Sequence, residues 1–261
     1  MRIGIVGFGN MGQAFGLCLS KKVGKENLVV YDIDPTKRQI AVENGFAVAN
    51  DLKFLIDASD LIMVAVKPKD AKEVLGKLRE AKDKIILSVM AGVSISDIQR
   101  EVGEDKKVVR IMPNLGVAVG SGVMAITDNG KLTQEERNGI EEILTTCGSL
   151  YRIEESLFDS FTALAGSGPA FVFEFIDGLA LAGVREGFSY QQALKIVIDT
   201  LLGSAKLIKE LGGSPSEWIV RVSSPGGTTI EGIKFLEEKG FKGILMGCVE
   251  KTTEKAKKLK G

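Results

Sequence analysis

Met1-Arg2-Ile3-Gly4-Ile5-Val6-Gly7-Phe8-Gly9-Asn10-Met11-Gly12 opens the chain, and its reading decides the fold. Ile3 to Val6 is an apolar run short enough for a buried strand, and Gln13 to Leu19 continues as a helix. Between them stands G-x-G-x-x-G at a strand-to-helix turn. Gly7 permits the tight turn, Gly9 lets backbone approach a pyrophosphate, and Gly12 lets the helix pack closely on the strand. The helix start offers unpaired N–H groups and the positive end of its dipole to phosphate. A second apolar run, Asn27 to Tyr31, ends in Asp32, twenty residues beyond Gly12. An acidic residue there can accept from an adenosine ribose. Without Asp32, the same glycines could serve as a packing turn with no ligand. With it, the expected ligand is a dinucleotide held by Gly7, Phe8, Gly9, Asn10, Met11, Gly12 and Asp32.

Outward from this unit the chain alternates strand and helix. Pro35 opens a helix to Asn44, and Gly45 suits its C-terminal turn. Phe46 to Ala49 reads as a short strand, followed by Asn50 and a helix from Asp51 to Ala58. Asp60 to Val66 is nearly continuous in apolar residues, as in a parallel strand covered on both faces. A helix over 69–81, strands over 84–89 and 107–112, and a helix over 94–102 complete a doubly wound sheet. The rhythm then changes. Strands over 122–126 and 149–153 flank a helix over 134–147 and extend the sheet. Beyond Ile153 only helices are expected, over 154–165, 169–185, 190–211, 215–222, 229–239 and 242–258. The fold class is therefore α/β: an N-terminal Rossmann-type doubly wound sheet, residues 1–153, then an all-helical C-terminal dimerisation domain, residues 154–261.

Composition narrows the chemistry. The 261 residues carry 34 Lys+Arg against 34 Asp+Glu, so no net field favours nucleic acid or an anionic membrane. The basic run Lys251 to Lys260 is local and suits a helix C-terminus. Cys18, Cys147 and Cys248 are scattered, which suggests neither a zinc site nor a disulfide framework and suits a reducing cytoplasm. The N-terminus lacks a basic leader region, so a cytoplasmic protein without a signal peptide is expected. There is no histidine, which excludes a Ser-His-Asp triad, a histidine base and His-ligated zinc.

One helix stands out. Pro169 to Val184 is apolar nearly all round, and Glu174 and Asp177 argue against a membrane span. Such a helix should be buried on all sides. A second subunit is the economical cover, and Gly178, Ala180, Ala182 and Gly183 would allow close approach. Glu174 and Asp177 share a face, yet no acid, base or metal ligand accompanies them, so a catalytic pair is not expected.

Three loops carry the remaining signals. Ala65-Val66-Lys67-Pro68 follows the fourth strand at the edge where open α/β sheets bind ligands. Arg110-Ile111-Met112-Pro113-Asn114 leaves the sixth strand at the same edge. Ser223-Ser224-Pro225-Gly226-Gly227-Thr228-Thr229 feeds two glycines and several hydroxyls into a helix, which is an anion nest suited to a substrate carboxylate.

With Ala163-Leu164-Ala165-Gly166-Ser167-Gly168-Pro169-Ala170-Phe171, these motifs make the chain resemble the pyrroline-5-carboxylate reductase family from end to end. The resemblance implies NAD(P)H-dependent reduction of (S)-1-pyrroline-5-carboxylate to L-proline, the last step of proline synthesis. It also implies a helical domain interlocked with a partner's in a homodimer, often as a ring of five dimers. The cofactor residues it implies add Asn50, Ala65, Val66, Lys67, Pro68, Met112, Pro113 and Asn114 to the glycine turn. Substrate contacts would be Ser224, Gly226, Gly227, Thr228 and Thr229, with Thr229 reaching the ring nitrogen as the catalytic hydroxyl. Two departures matter. Leu115-Gly116 stands where the family usually has Thr-Pro. Asp32 stands where many relatives carry Asn-Arg or Ser, which favours NADH, although Lys37 and Arg38 keep NADPH open.

Rival readings are weaker. A 3-hydroxyacid dehydrogenase would want a lysine between Gly168 and Asp177, and there is none. A dinucleotide-sensing regulator would want a DNA-binding module, and no segment is left to hold one. An imine reductase for a larger substrate has the same residues to offer.

Overall fold

The computed structural model describes residues 1–258, so Lys260 of the basic run lies outside the described residues. The first half is one eight-stranded sheet. In chain order its strands are β1 Ile3–Val6, β2 Leu28–Tyr31, β3 Ala47–Val48, β4 Leu61–Val64, β5 Ile85–Ser88, β6 Lys107–Met112, β7 Gly122–Asp128 and β8 Gly148–Arg152. They lie side by side in the order β3-β2-β1-β4-β5-β6-β7-β8. From β3 to β6 all neighbours are parallel, as crossover helices require. β7 runs antiparallel to β6, and β8 parallel to β7. The expected extra pair thus extends the sheet with one reversal. The order reverses between β1 and β4, and a crevice opens at that point beyond the strand ends.

The helices of this half are α1 Asn10–Val23, α2 Pro35–Glu43, α3 Leu52–Ala58, α4 Ala71–Leu78, α5 Ile95–Val102 and α6 Gln134–Leu144. Their starts follow from capping chemistry. Asp34 and Asp51 accept from the Thr36 and Phe54 amides, and Ser94 and Thr133 form capping boxes with Asp97 and Glu136. Each such cap is worth about 1 kcal/mol. Two apolar clusters cover the sheet, one centred on Ile5, Phe15 and Met63, the other on Leu55, Ile62 and Leu78.

The far edge is closed by charge. Asp128 accepts from Arg137 at 3.2 Å and from Arg152 at 2.8 Å, tying β7 to α6 and β8. Burial pushes the Asp128 carboxyl up, but hydrogen bonds from Arg137, the Gly130 amide and Arg152 outweigh it and hold the pKa below the ordinary 3.8. Cys18 and Cys147 are both buried. Burial, reinforced by the neighbouring Cys18, pushes the Cys147 thiol up, which leaves it unreactive.

The chain divides into two compact units, Met1–Ser167 with the C-terminal residues from Thr252, and Gly168–Lys251. The first unit therefore extends past the 153/154 boundary read from the sequence, and the reason is a set of anchors. Glu155 pairs with buried Arg110 at 2.7 Å and accepts from the Ile95 amide at 2.8 Å. Arg110 lies 4.6 Å from the Phe158 ring centroid, and Phe158 is fully buried. The stretch read as one helix over 154–165 is a 3-10 turn Glu155–Leu157, a short α7 Phe158–Phe161, and a π-helical turn Thr162–Gly166.

The second unit is helical: α8 Gly168–Arg185, α9 Tyr190–Leu211, α10 Pro215–Val222, α11 Thr228–Glu238 and the start of α12 Phe241–Lys258. α8 and α9 pair closely, and a Cβ on Gly183 would sit 2.8 Å from that of Ala193. Tyr190 donates to Asp177 at 2.7 Å, which gives Asp177 a structural partner. Among the described residues the only buried hydrophobics here are Ala180 and Ala193, while Phe173, Leu202 and Phe235 are each about 60% exposed or more. A set of helices with two buried alanines has no core of its own. The run Glu155–Arg185 is long and apolar enough to cross a membrane by length and composition.

Candidate active site

The glycine turn has the geometry its sequence requires. Gly7 has φ +93, and its N–H donates to the Tyr31 carbonyl at 2.8 Å. A Cβ on Gly7 would meet the Ala65 carbonyl at 2.7 Å, and one on Gly12 the Gly7 carbonyl at 2.0 Å. Gly9 is different, because nothing lies within 4 Å of where its Cβ would be. Gly9 also caps α1 with no side-chain bond, so the Asn10, Met11 and Gly12 amides have no intrahelical acceptor. That open, amide-lined space has the geometry an anion such as a pyrophosphate requires.

Asp32 is more engaged than its spacing reveals. One carboxylate oxygen accepts from the Phe8 amide at 2.6 Å, the other from the Asp34 amide at 2.9 Å. It is therefore a strut between the glycine turn and the turn into α2, with lone pairs left for a ribose. Phe8 is correspondingly withdrawn. Its ring is fully buried against Phe46 at 5.7 Å, and its carbonyl accepts from Gln13. Of the glycine-turn residues, Phe8 has neither side chain nor amide to offer a cofactor.

A cleft of about 340 Å³ opens beside this turn. Gly7, Gly9, Asp32, Ala65, Val66 and Lys67 line it, and Lys37, Lys69, Asp70 and Glu73 complete the wall. The glycine turn and the Ala65–Pro68 loop are thereby brought together, with the Ala65 amide donating to the Val6 carbonyl at 2.8 Å. Pro68 starts the 3-10 turn that leads into α4. Asn50 is exposed at the end of β3 and outside this lining. A second cavity of about 370 Å³, between α3 and α4, shares Tyr31, Leu52 and Lys77 but contains no glycine-turn residue.

Met112, Pro113 and Asn114 sit at the same sheet edge, beyond the end of β6. They are outside the cleft lining, and their side chains are committed to structure. Pro113 is buried, and the Met112 methyl lies 3.3 Å from where a Cβ on Gly166 would be. Asn114 donates to the Ala165 carbonyl at 3.0 Å and accepts from the Gly116 and Val123 amides, both at 3.1 Å. The departure at Gly116 is steric as well, since a Cβ there would lie 2.5 Å from the Ser121 carbonyl. Sequence reasoning passed over the turn after β5, Val89 to Val93. β5 lies between β4 and β6, so this turn leaves the same edge, and the glycine at 92, which adopts a positive φ, was the available signal.

In the second unit the hydroxyl-rich loop has the form of an anion nest. The Gly227 amide donates to the Ser224 carbonyl at 3.0 Å, Gly226 has φ +67, and Gly227 caps α11 with no side-chain bond. The Thr228 and Thr229 hydroxyls therefore do not cap the helix, and both residues are exposed. The Ser223 hydroxyl is buried without a partner. Among the described residues no group of three potential ligands could hold a metal.

The family follows from comparison with known proteins. Residues 155–259 match the model described as pyrroline-5-carboxylate reductase dimerisation, and residues 2–92 match NADP oxidoreductase coenzyme F420-dependent. The pyrroline-5-carboxylate reductase of Aquifex aeolicus is 67% identical over 99% of this chain and 97% of that protein. That of Escherichia coli is 35% identical over 99% and 98%. The crystal structure of Plasmodium falciparum pyrroline carboxylate reductase with NADP bound matches with a TM-score of 0.90 at 30% identity, covering 100% of this chain and 98% of that one. Prephenate dehydrogenase from Aquifex aeolicus, at 19% identity and a TM-score of 0.56, shares the fold alone. With a cradle for a dinucleotide in one unit, a helical unit that lacks its own core, and relatives matching from end to end, this chain belongs to the pyrroline-5-carboxylate reductase family.

Proposed function

We propose that this chain reduces (S)-1-pyrroline-5-carboxylate to L-proline, with NADH preferred over NADPH. The observation that carries the site assignment is the uncapped start of α11, where Gly226, Gly227 and free hydroxyls face solvent together. The nest holds the substrate carboxylate through the amides of Gly227, Thr228 and Thr229, with Ser224 and Gly226 shaping the turn. Thr229 donates to the ring nitrogen while the imine is neutral and relays it a proton from solvent, which raises the electrophilicity of C5. Reduced nicotinamide, when bound, supplies the hydride. A protonated imine is already electrophilic, so the protein's task is alignment and exclusion of water, and no histidine is needed.

The amides of Asn10, Met11 and Gly12 hold the pyrophosphate. Ala65, Val66, Lys67 and Pro68 flank it, while Met112, Pro113 and Asn114 shape the nicotinamide end through their backbone. Asp32 accepts from the adenosine ribose and repels a 2′-phosphate, which sets the preference for NADH. A second copy covers the apolar helices of residues 154–261, and five such dimers form a ring in the cytoplasm. Neither lipid nor nucleic acid is a partner: Glu174 and Asp177 sit in the apolar run, and the charge is balanced.

The test is NADH oxidation with pyrroline-5-carboxylate by wild type and Thr229→Ala. A hydrogen bond to a charged group is worth about 1.5–3 kcal/mol, so kcat should fall by about ten- to a hundredfold. Wild-type kinetics in Thr229→Ala would remove its catalytic role.

A further inference from the structure

Asn114 stands at the centre of a connection that no sequence motif announces. Its side chain bonds to protein on both sides: Nδ2 donates to the Ala165 carbonyl at 3.0 Å, and Oδ1 accepts from the Gly116 and Val123 amides at 3.1 Å each. The reason Ala165 needs a donor lies four residues on. In an α-helix the Ala165 carbonyl accepts from residue 169, and residue 169 is proline, which has no N–H. The helical run is widened at this point into the π-turn Thr162–Gly166, closed by a bond from the Ser167 amide to the Thr162 carbonyl at 2.8 Å. Single π-turns inside helices mark functional positions. Against this turn lies Met112, whose methyl would be 3.3 Å from a Cβ on Gly166. The turn is thus fixed to the C-terminal end of β6, at the sheet edge where a dinucleotide is presented.

We propose that Asn114 is a positioning residue for hydride transfer: it supplies the donor that Pro169 withholds from Ala165, and so holds the Thr162–Gly166 turn on Met112 at the reacting end of the cleft. The inference rests on the reductase reading above. It predicts that the turn, not the cofactor, feels the loss of Asn114. The pyrophosphate cradle proposed at β1, α1 and Asp32 is not touched by Asn114, and the part of Asn114 proposed at the nicotinamide end is its backbone, which a side-chain substitution leaves in place. Orientation at the reacting centre is worth large rate factors, so a loosened turn lowers kcat before it changes cofactor affinity.

The experiment uses the full-length protein and four forms: wild type, Asn114→Ala, Asn114→Asp and the double variant Asn114→Ala with Pro169→Ala. NADH binding is read by the fluorescence of the bound cofactor, and turnover by NADH oxidation with pyrroline-5-carboxylate. In Asn114→Ala, kcat should fall by about tenfold or more while the Kd for NADH stays within about twofold. Asn114→Asp keeps the acceptor for the Gly116 and Val123 amides but replaces the donor with a carboxylate oxygen facing the Ala165 carbonyl, so it should show the same split at least as strongly. It carries the test if the alanine variant fails to fold. Pro169→Ala restores an N–H to the helix and should recover most of the lost kcat, which a merely destabilised fold would not do. Unchanged kcat in Asn114→Asp, a weakened NADH Kd, or no recovery in the double variant would each overturn the proposal. A wild type inactive on pyrroline-5-carboxylate would instead overturn the reductase reading, so the two failures are distinct.

Discussion

Replacing Asp32 with serine separates two roles that one carboxylate combines. The side chain accepts from the Phe8 amide at 2.6 Å and the Asp34 amide at 2.9 Å, and it lines the cleft proposed above for the adenosine ribose. Each bond to the charged group is worth about 1.5–3 kcal/mol. Serine reaches neither amide with a charge, so the glycine turn loses its strut whichever cofactor binds. Even one of these two bonds lost in full should lower kcat/KM for NADH by at least about ten- to a hundredfold. NADPH suffers the same loss but gains relief from repulsion. At about 5 Å and an effective dielectric near 20, each pair of unit charges costs about 3 kcal/mol, less where solvent and salt screen the cleft. The strut therefore sets the fall with NADH, and the repulsion sets the change in the NADH/NADPH ratio. Asp32→Asn keeps one acceptor and should fall between wild type and serine. The assay is kcat/KM for both cofactors at saturating pyrroline-5-carboxylate and fixed ionic strength. A wild type that favours NADPH by about tenfold or more would refute the charge argument. NADH kinetics in Asp32→Ser within about twofold of wild type would refute the strut.

Other parts of the molecule yield shorter tests. Gly227→Val should raise KM for the imine with little change in NADH affinity, because a Cβ there would lie 2.3 Å from the Ser224 hydroxyl and displace the nest; an unchanged KM in steady-state assays would count against the carboxylate site. Phe173→Glu should leave monomer or aggregate in sedimentation, since Phe173 is 61% exposed in one copy and a charge buried in an apolar contact costs several kcal/mol. Phe175 is a poorer probe, because it already packs on Phe241 of its own chain at 6.0 Å. Asp128→Asn should cost about 1.5 kcal/mol in denaturant titrations at neutral pH, at the low end because Arg152 is 43% exposed. Folding depresses the Asp128 pKa below 3.8, so its contribution is full above that value and lost as pH falls through the lower folded value. The variant should therefore show a shallower loss of stability with acid, and an identical acid limb would refute the assignment.

The order of elements was legible because each one carried a local signal. Glycines at turns, Asp34 and Ser94 at helix starts and unbroken apolar strands all agree with the sheet that forms. What the sequence did not disclose was where the first compact unit ends. Glu155 sits in a polar stretch that reads as an ordinary helix start, yet it pairs with Arg110 from β6. The pairing joins residues 45 positions apart, and no periodicity encodes it. The reversal of β7 against β6 was hidden for the same reason. A strand's apolar pattern says that it is buried and leaves its direction open.

At the site, sequence identified which loops converge but overstated what their side chains are free to do. Phe8, Asp32 and Asn114 all stand in motifs that suggest contact with a ligand. In the fold, the Phe8 amide is taken by Asp32, and Asn114 is taken by Ala165, Gly116 and Val123. A buried polar group left unpaired costs more than a pair returns, so the chain assigns its motif side chains first to its own unpaired backbone. Residue type and spacing report that a position is constrained without saying by what. Gly9 carries the opposite signature. Nothing in the protein surrounds it, although glycine there weakens the start of α1 relative to a side-chain cap. A position that forgoes internal stabilisation and faces open space is one whose constraint comes from outside the chain. By that criterion Gly9, at the start of α1, is the position we propose is shaped by a ligand rather than by the chain itself.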